Sequence, residues 1–311
     1  MNGTLTSMLT ASASEAPASA AVYAVQQFSL DELRARAGGL LTLLTQQSAD
    51  GATHGACRSD RGDWKSDDSQ TVITLTQGAR AVLYHASGAL DYRSGLAPFE
   101  AAFAQAAERD VLTRQVVERA ASLQLQGWTG EQGSLAFERL WQMKAQGAER
   151  GGKTSDVLLT RAVGAFRHSV AGIPVLGAAS VALRLAGDGV IDGFSLRIRP
   201  SAAETIDTAK TIAPELAARQ IAQQLASLLG NGREQLPGDA ISEARLLFGY
   251  LDLGKRKAQL VLAPTYVAQI TVQHKLERQA YVLAVPATER SYQQLQAAGT
   301  EGLATGARRG C

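Results

Sequence analysis

Apolar and polar residues alternate along much of this chain in short runs, and a period of two predicts strands. Thr71–Thr76 (TVITLT) is a clear case. Gln77-Gly78 turns it into a second strand over Ala79–His85, and Ser87-Gly88 turns again into Ala89–Arg93. β-Branched runs separated by glycine turns make a meander. The period then lengthens toward that of a helix. Pro98 suits a helix start, apolar residues recur at Phe99, Phe103, Ala106, Val111, Val116, Val117, Ala120 and Leu123, and Gly127 ends the run. Asp110 is where this helix can divide in two. Ala136–Lys144 fits either a strand or a helix, and its alternation favours the strand; alternation is plainer in the long run Val157–Val170. Ala171-Gly172 is a turn and Pro174–Gly177 a kinked link. Gly187-Asp188-Gly189 joins Ser180–Ala186 to Val190–Pro200 as a hairpin. A second helix is expected from Ser201 to Leu229, broken near Pro214 and closed by Gly230-Asn231-Gly232. The rest reads as strands: Arg245–Leu251, Ala258–Leu262, and a hairpin of Thr265–His274 with Gln279–Pro286 across Lys275–Arg278.

Strands follow one another within each block, so hairpins dominate and the fold class is antiparallel α+β. The expected architecture is curved antiparallel sheets each packed by a long helix, as two strand–helix cycles plus a C-terminal strand block. ASGALDYRS and AGDGVIDGFSLRIRP each precede one of the expected helices, which reads as an internal duplication. Residues 1–26 read as a flexible N-terminus, 27–150 as a first α+β unit, 151–290 as a second, and 291–311 as a polar tail with a short helix at Tyr292–Ala298. Ser29, with Glu32 three residues on, has the form of a capping box for a helix through Leu30, Leu33 and Ala37 that stops at Gly38-Gly39. Residues 46–70 are Gly-, Asp- and Ser-rich and read as a long loop.

The 311 residues are 45% hydrophobic but only 5% aromatic and 19% charged, so Ala, Leu and Val must build the interior. Lys and Arg number 31 against 29 Asp and Glu, a net charge of +2, so nucleic acid and anionic membranes are not expected partners. Cys57 and Cys311 make no disulfide framework, and His54, His85, His168 and His274 are not spaced as metal ligands, so no metal is expected. No cofactor signature is present either. Met1–Val25 has no Lys or Arg and no apolar core, so no secretory leader is expected, and no stretch is apolar enough to span a membrane. A cytoplasmic protein is the default, with a secreted mature chain as the alternative.

His168 alternates with Phe166 and Val170 and so faces the apolar side of its strand. With Tyr84, His85 and Tyr266 it forms the set of candidate acid–base groups, while His274 is expected at a solvated hairpin tip. Arg197 and Arg199 alternate with Phe194, Leu196 and Ile198, and Arg184 sits on the partner strand of that hairpin. With Arg167 they make a candidate ligand-binding set: guanidiniums sharing a sheet face repel unless carboxylates or an anionic ligand balance them.

The run from Phe166 to Arg199 also resembles a known module. Phe166, Gly172, Ile173, Pro174, Val175 and Gly177, then a strand, then Gly187-Asp188-Gly189 and a return strand, is similar to the propeptide of fungalysin- and thermolysin-type metalloproteases and its PepSY-like relatives. The resemblance implies a helix packed on a curved antiparallel sheet. It also implies work as a chaperone, inhibitor or accessory binding domain, with no catalytic residues. No His-Glu-x-x-His is present, so this would be a free-standing module rather than a protease precursor. We therefore rank a binding module for a peptide or protein partner first. The alternative is a small-molecule biosynthetic enzyme of cyclase or isomerase type, which needs an enclosed pocket of at least about 300 Å³ between sheet and helices. An assembly protein is the third expectation.

Overall fold

The structure, a computed structural model, describes residues 2–49, 62–105, 107–148, 150–178, 180–230, 240–274, 277–290 and 292. Cys57, Cys311, His54, the hairpin tip at 275–276 and the helix expected at Tyr292–Ala298 lie wholly or mainly outside them. The chain begins with α1 (Asn2–Ala11) and β1 (Ser19–Val25), in place of the expected loose N-terminus. Leu5 and Leu9 of α1 are fully buried against α4 and β12 (ranges below). Burying two leucines favours docking by roughly 3–6 kcal/mol.

Helix α2 (Leu30–Ala49) starts at the predicted capping box: Ser29 N and Oγ donate to Glu32 Oε2 at 2.7 Å, and Glu32 N donates back to Ser29 Oγ at 3.3 Å. It does not stop at Gly38-Gly39. Burial of Leu40, Leu41 and Leu44 carries it on, outweighing about 1 kcal/mol lost at each glycine. The meander follows as β2 (Asp63–Ser66), β3 (Gln70–Thr74), β4 (Arg80–Tyr84) and β5 (Leu90–Arg93). The helix expected from Pro98 is shorter: α3 covers only Arg109–Ser122. The stretch before it is a loop held by Phe103 N donating to Leu159 O and Gly187 N to Ala101 O. Then come β6 (Gly133–Ala145), β7 (Leu158–Val170), β8 (Ile173–Leu176), β9 (Val181–Leu185) and β10 (Ile191–Leu196). Ala171 and Gly172 both take positive φ, 48° and 79°, the left-handed pair that a two-residue hairpin turn requires.

The second long helix is corrected in its first half. Residues expected as helix from Ser201 form strand β11 (Ser201–Lys210), and α4 (Pro214–Gly230) begins at the proline expected to break it. Thr205, Ile206 and Thr208 favour a strand, and β11 finds its partner in β1. The second strand–helix cycle is thus interrupted by a strand. The chain continues through β12 (Ile241–Leu251), β13 (Val261–Leu262), β14 (Pro264–His274) and β15 (Glu277–Pro286).

Twelve strands form one sheet in the order β15-β14-β12-β8-β7-β9-β10-β5-β4-β3-β2, with β6 on the free side of β7, and β11-β1-β13 form a second. All pairs are antiparallel except β12 with β8, where Tyr250 and Leu251 run parallel to Val175 and Leu176. The pairing of β6 with β7 spans the unit boundary expected at residue 150. One face of the β6–β10 and β3–β5 region packs on α2 and α3 through Leu33, Leu40, Val116, Leu183, Phe194 and Leu196. A separate core joins α1 and α4 to β12, β14 and β15. Among the described residues no helix is long and apolar enough to cross a membrane.

Candidate functional site

Residues directly opposed in a ladder share a face, so register alone assembles the face of the main sheet turned away from α2 and α3. One row across the strands runs Asp63, Thr74, Arg80, Arg93, Gly193, Arg184, Val163 and Trp141. The next runs Lys65, Val72, Val82, Asp91, Ser195, Ala182, Ala165 and Arg139. Small side chains form the middle of this floor. At its β6 border Trp141 and Met143 are 46% and 45% exposed, and the Arg139 guanidinium lies 5.6 Å from the Trp141 ring centre.

Charges on this face are held in place by carboxylates. Asp91 accepts from Ser195 Oγ at 2.6 Å and from Lys255 Nζ at 2.5 Å. Burial raises the Asp91 pKa, but these two hydrogen bonds together with the positive charges of Lys255 and Arg197 outweigh it and hold the group below the usual carboxylate range. Lys255 also stands 4.5 Å over the Tyr84 ring. It arrives there because Arg199 fixes its loop: Nε donates to Asp252 Oδ1 at 2.8 Å, and Nη2 donates to the carbonyls of Gly254 and Lys257 at 2.8 and 2.7 Å. At the other end Asp192 binds Arg161 Nε at 2.7 Å and forms an ion pair with Arg184 at 2.8 Å. Gly193 makes room for Arg184, whose Nη2 lies 2.8 Å from where a Cβ at 193 would sit. Arg167 pairs with Glu138 at 2.8 Å. Arg197 forms no ion pair among the described residues, and its Nε is buried without a hydrogen bond.

Three of the four expected arginines therefore belong to this face by strand alternation, namely Arg167, Arg184 and Arg197. Arg197 lies one residue past the end of β10 and keeps its alternation, since its N still donates to Ser180 O at 2.7 Å. Arg199 does not belong, because its side chain turns to the loop of Asp252 and Gly254. Arg80, Arg93, Asp91 and Lys255 were missed. Their sequence signal is weak because only cross-strand register brings them beside Arg184 and Ser195.

The four acid–base candidates lie apart, and no hydrogen bond joins any two. Tyr84 is buried under Lys255. His85 Nε2 lies 2.8 Å from Thr71 Oγ1. Tyr266 sits in the α1–α4 core and donates to Ile212 O at 3.2 Å, and burial raises its pKa. His168 is 1% exposed, with Nε2 3.2 Å from Thr129 O, and burial lowers its pKa to about 4. It is therefore neutral at pH 7, with the proton on Nε2 if it donates to that carbonyl. His274 ends β14, opposite Glu277.

A pocket beside His85 measures about 40 Å³, and its wall includes Arg36, clasped between Phe28 at 4.4 Å and Trp128 at 4.3 Å. Two larger concavities are open grooves: about 460 Å³ between α3 and the β9–β10 turn, and about 970 Å³ between α4 and the end of β15. Among the described residues no group of His, Cys, Asp and Glu is arranged to hold a metal ion.

No family model and no curated protein matches this chain. Its fold has a solved counterpart. The crystal structure of an uncharacterized protein from Eubacterium rectale ATCC 33656 matches 88% of this chain and 85% of that one, with 10% sequence identity and a TM-score of 0.51. At that identity the likeness is one of fold alone.

Proposed function

We propose that this protein is a non-catalytic binding module that docks a segment of a partner protein on the open face of its main sheet. One observation carries this: Trp141 and Met143 stand half-exposed at the border of the sheet face opposite the one that packs on α2 and α3. Trp and Met are enriched where proteins meet, and a large aromatic beside a charged rim is the usual form of an energetic anchor. Among the described residues β6 is also an edge strand of 13 residues, paired only with β7, and such edges accept extended peptides. One of its carbonyls, that of Leu140, is already taken by Arg109 Nη2 at 2.9 Å. This favours side-chain docking on the face over strand addition along the whole edge. The separation of the four acid–base candidates supports binding over catalysis, and the propeptide-like run Phe166–Arg199 points the same way.

A displayed random peptide library, selected on the immobilised full chain, tests this. Selected peptides should bind Trp141→Ala at least tenfold more weakly while its melting temperature stays within about 2 °C of the parent, since the side chain is half-exposed. Peptides that bind both proteins equally well would place docking elsewhere.

A further inference from the structure

Arg80 and Arg93 stand directly opposite each other on β4 and β5. Both are exposed, and neither forms an ion pair with any described residue. Like charges so placed destabilise a sheet unless something balances them. The next position in the same row is Gly193, and beyond it Arg184 lays its guanidinium back across that glycine, toward Arg93. Three guanidiniums thus converge within three strand spacings. The carboxylates nearby are engaged: Asp192 with Arg161 and Arg184, Asp91 with Lys255, and Asp63 at the far end with Lys65 at 3.0 Å.

We propose that this arginine row binds the carboxylates of an acidic protein segment lying across the strands. The ligand's polarity follows from the row itself. From Arg80 to Trp141 it crosses five gaps between strands, about 24 Å at roughly 4.8 Å each. An extended segment of about seven residues spans that distance. Its acidic residues meet Arg80, Arg93 and Arg184, and an apolar residue at the other end meets Val163 and Trp141. The row is short and is framed by carboxylates, and the chain's net charge is only +2. That suits a few carboxylates better than nucleic acid, which needs a continuous basic track. Guanidinium also pairs well with phosphate, so the test must separate the two. The inference rests on the docking face proposed above for the nature of its partner, but on different residues.

The test is calorimetry of the full chain with a nonapeptide carrying Glu at positions 1 and 3 and Leu at position 7, which an extended chain turns to the same side. Its twin with Gln for Glu and inorganic phosphate serve as controls. We expect the Glu peptide to bind, binding to fall as salt rises, and the Gln twin to bind at least tenfold more weakly. The double variant Arg80→Gln/Arg93→Gln should lose at least tenfold, and phosphate at 10 mM should displace little. These two side chains are exposed, so circular dichroism should show the fold intact. No binding by the Glu peptide at millimolar concentration, equal binding by the Gln twin, or an unaffected double variant overturns the proposal. Full displacement by phosphate makes the row a general oxyanion site instead. Loss in Trp141→Ala alone keeps the docking face and sinks the arginine row, whereas loss in the arginine variant alone does the reverse.

Discussion

At the scale of single residues, burial decides what the ionisable groups can do. Alternation alone puts His168 on the apolar side of its strand, and it lies there at 1% exposure. That placement removes it from acid–base work at neutral pH, because its pKa falls to about 4 from the ordinary 6.5. The consequence is a pH-dependent stability. Between about pH 6.5 and 4 the unfolded chain binds a proton that the folded chain refuses, so stability declines as pH falls through that window. The full contribution is on the order of 3 kcal/mol, since each tenfold loss of proton affinity is worth roughly 1.4 kcal/mol. Urea unfolding at pH 7.5 and at pH 5 should show the decline, and His168→Gln, which keeps a donor for Thr129, should flatten it. The arginines behave differently. Arg161 and Arg199 are 3% and 5% exposed and give their donors to carboxylates and carbonyls, so they serve as fasteners. Arg80 and Arg93 remain at the surface with no ion pair among the described residues. Types of residue alone cannot distinguish these two classes; the neighbour across the strand does.

At the scale of elements, legibility follows the distance to the partner. β3, β4 and β5, and likewise β9 with β10, pair with neighbours a few residues away across glycine turns, so alternation plus turn residues suffices to foresee them. The start of α2 is equally plain, because Ser29 and Glu32 complete a local hydrogen-bonded box. Ser29→Ala should cost about 1 kcal/mol, seen as a lower denaturation midpoint without a change in slope. The end of α2 is not legible, because burial of Leu40, Leu41 and Leu44 overrides two glycines. Nor is β11, which reads as helix because its partner β1 lies in a segment that looks too poor in charge and pattern to fold.

At the scale of the whole molecule, the proposed docking face is only partly legible. The arginines of the β9–β10 hairpin stand out in the sequence, yet the row that joins them to Arg80, Arg93 and Trp141 exists only once six strands are in register. The N-terminal segment matters at this scale too. Deleting residues 2–26 removes the central strand of the second sheet and the buried Leu5 and Leu9. We expect the melting temperature to drop by at least about 10 °C, whereas a tail hanging free of the body would leave calorimetry unchanged. The same strand has a consequence during synthesis. β1 pairs with residues 201–210 and 261–262, which leave the ribosome long after it does. At about 5–20 residues per second, the wait is on the order of ten seconds or more. For that time an apolar segment stands without its mates in the crowded cell. The low charge of α1 and β1 makes this nascent stage the one at which a holding chaperone would matter most to the yield of folded protein.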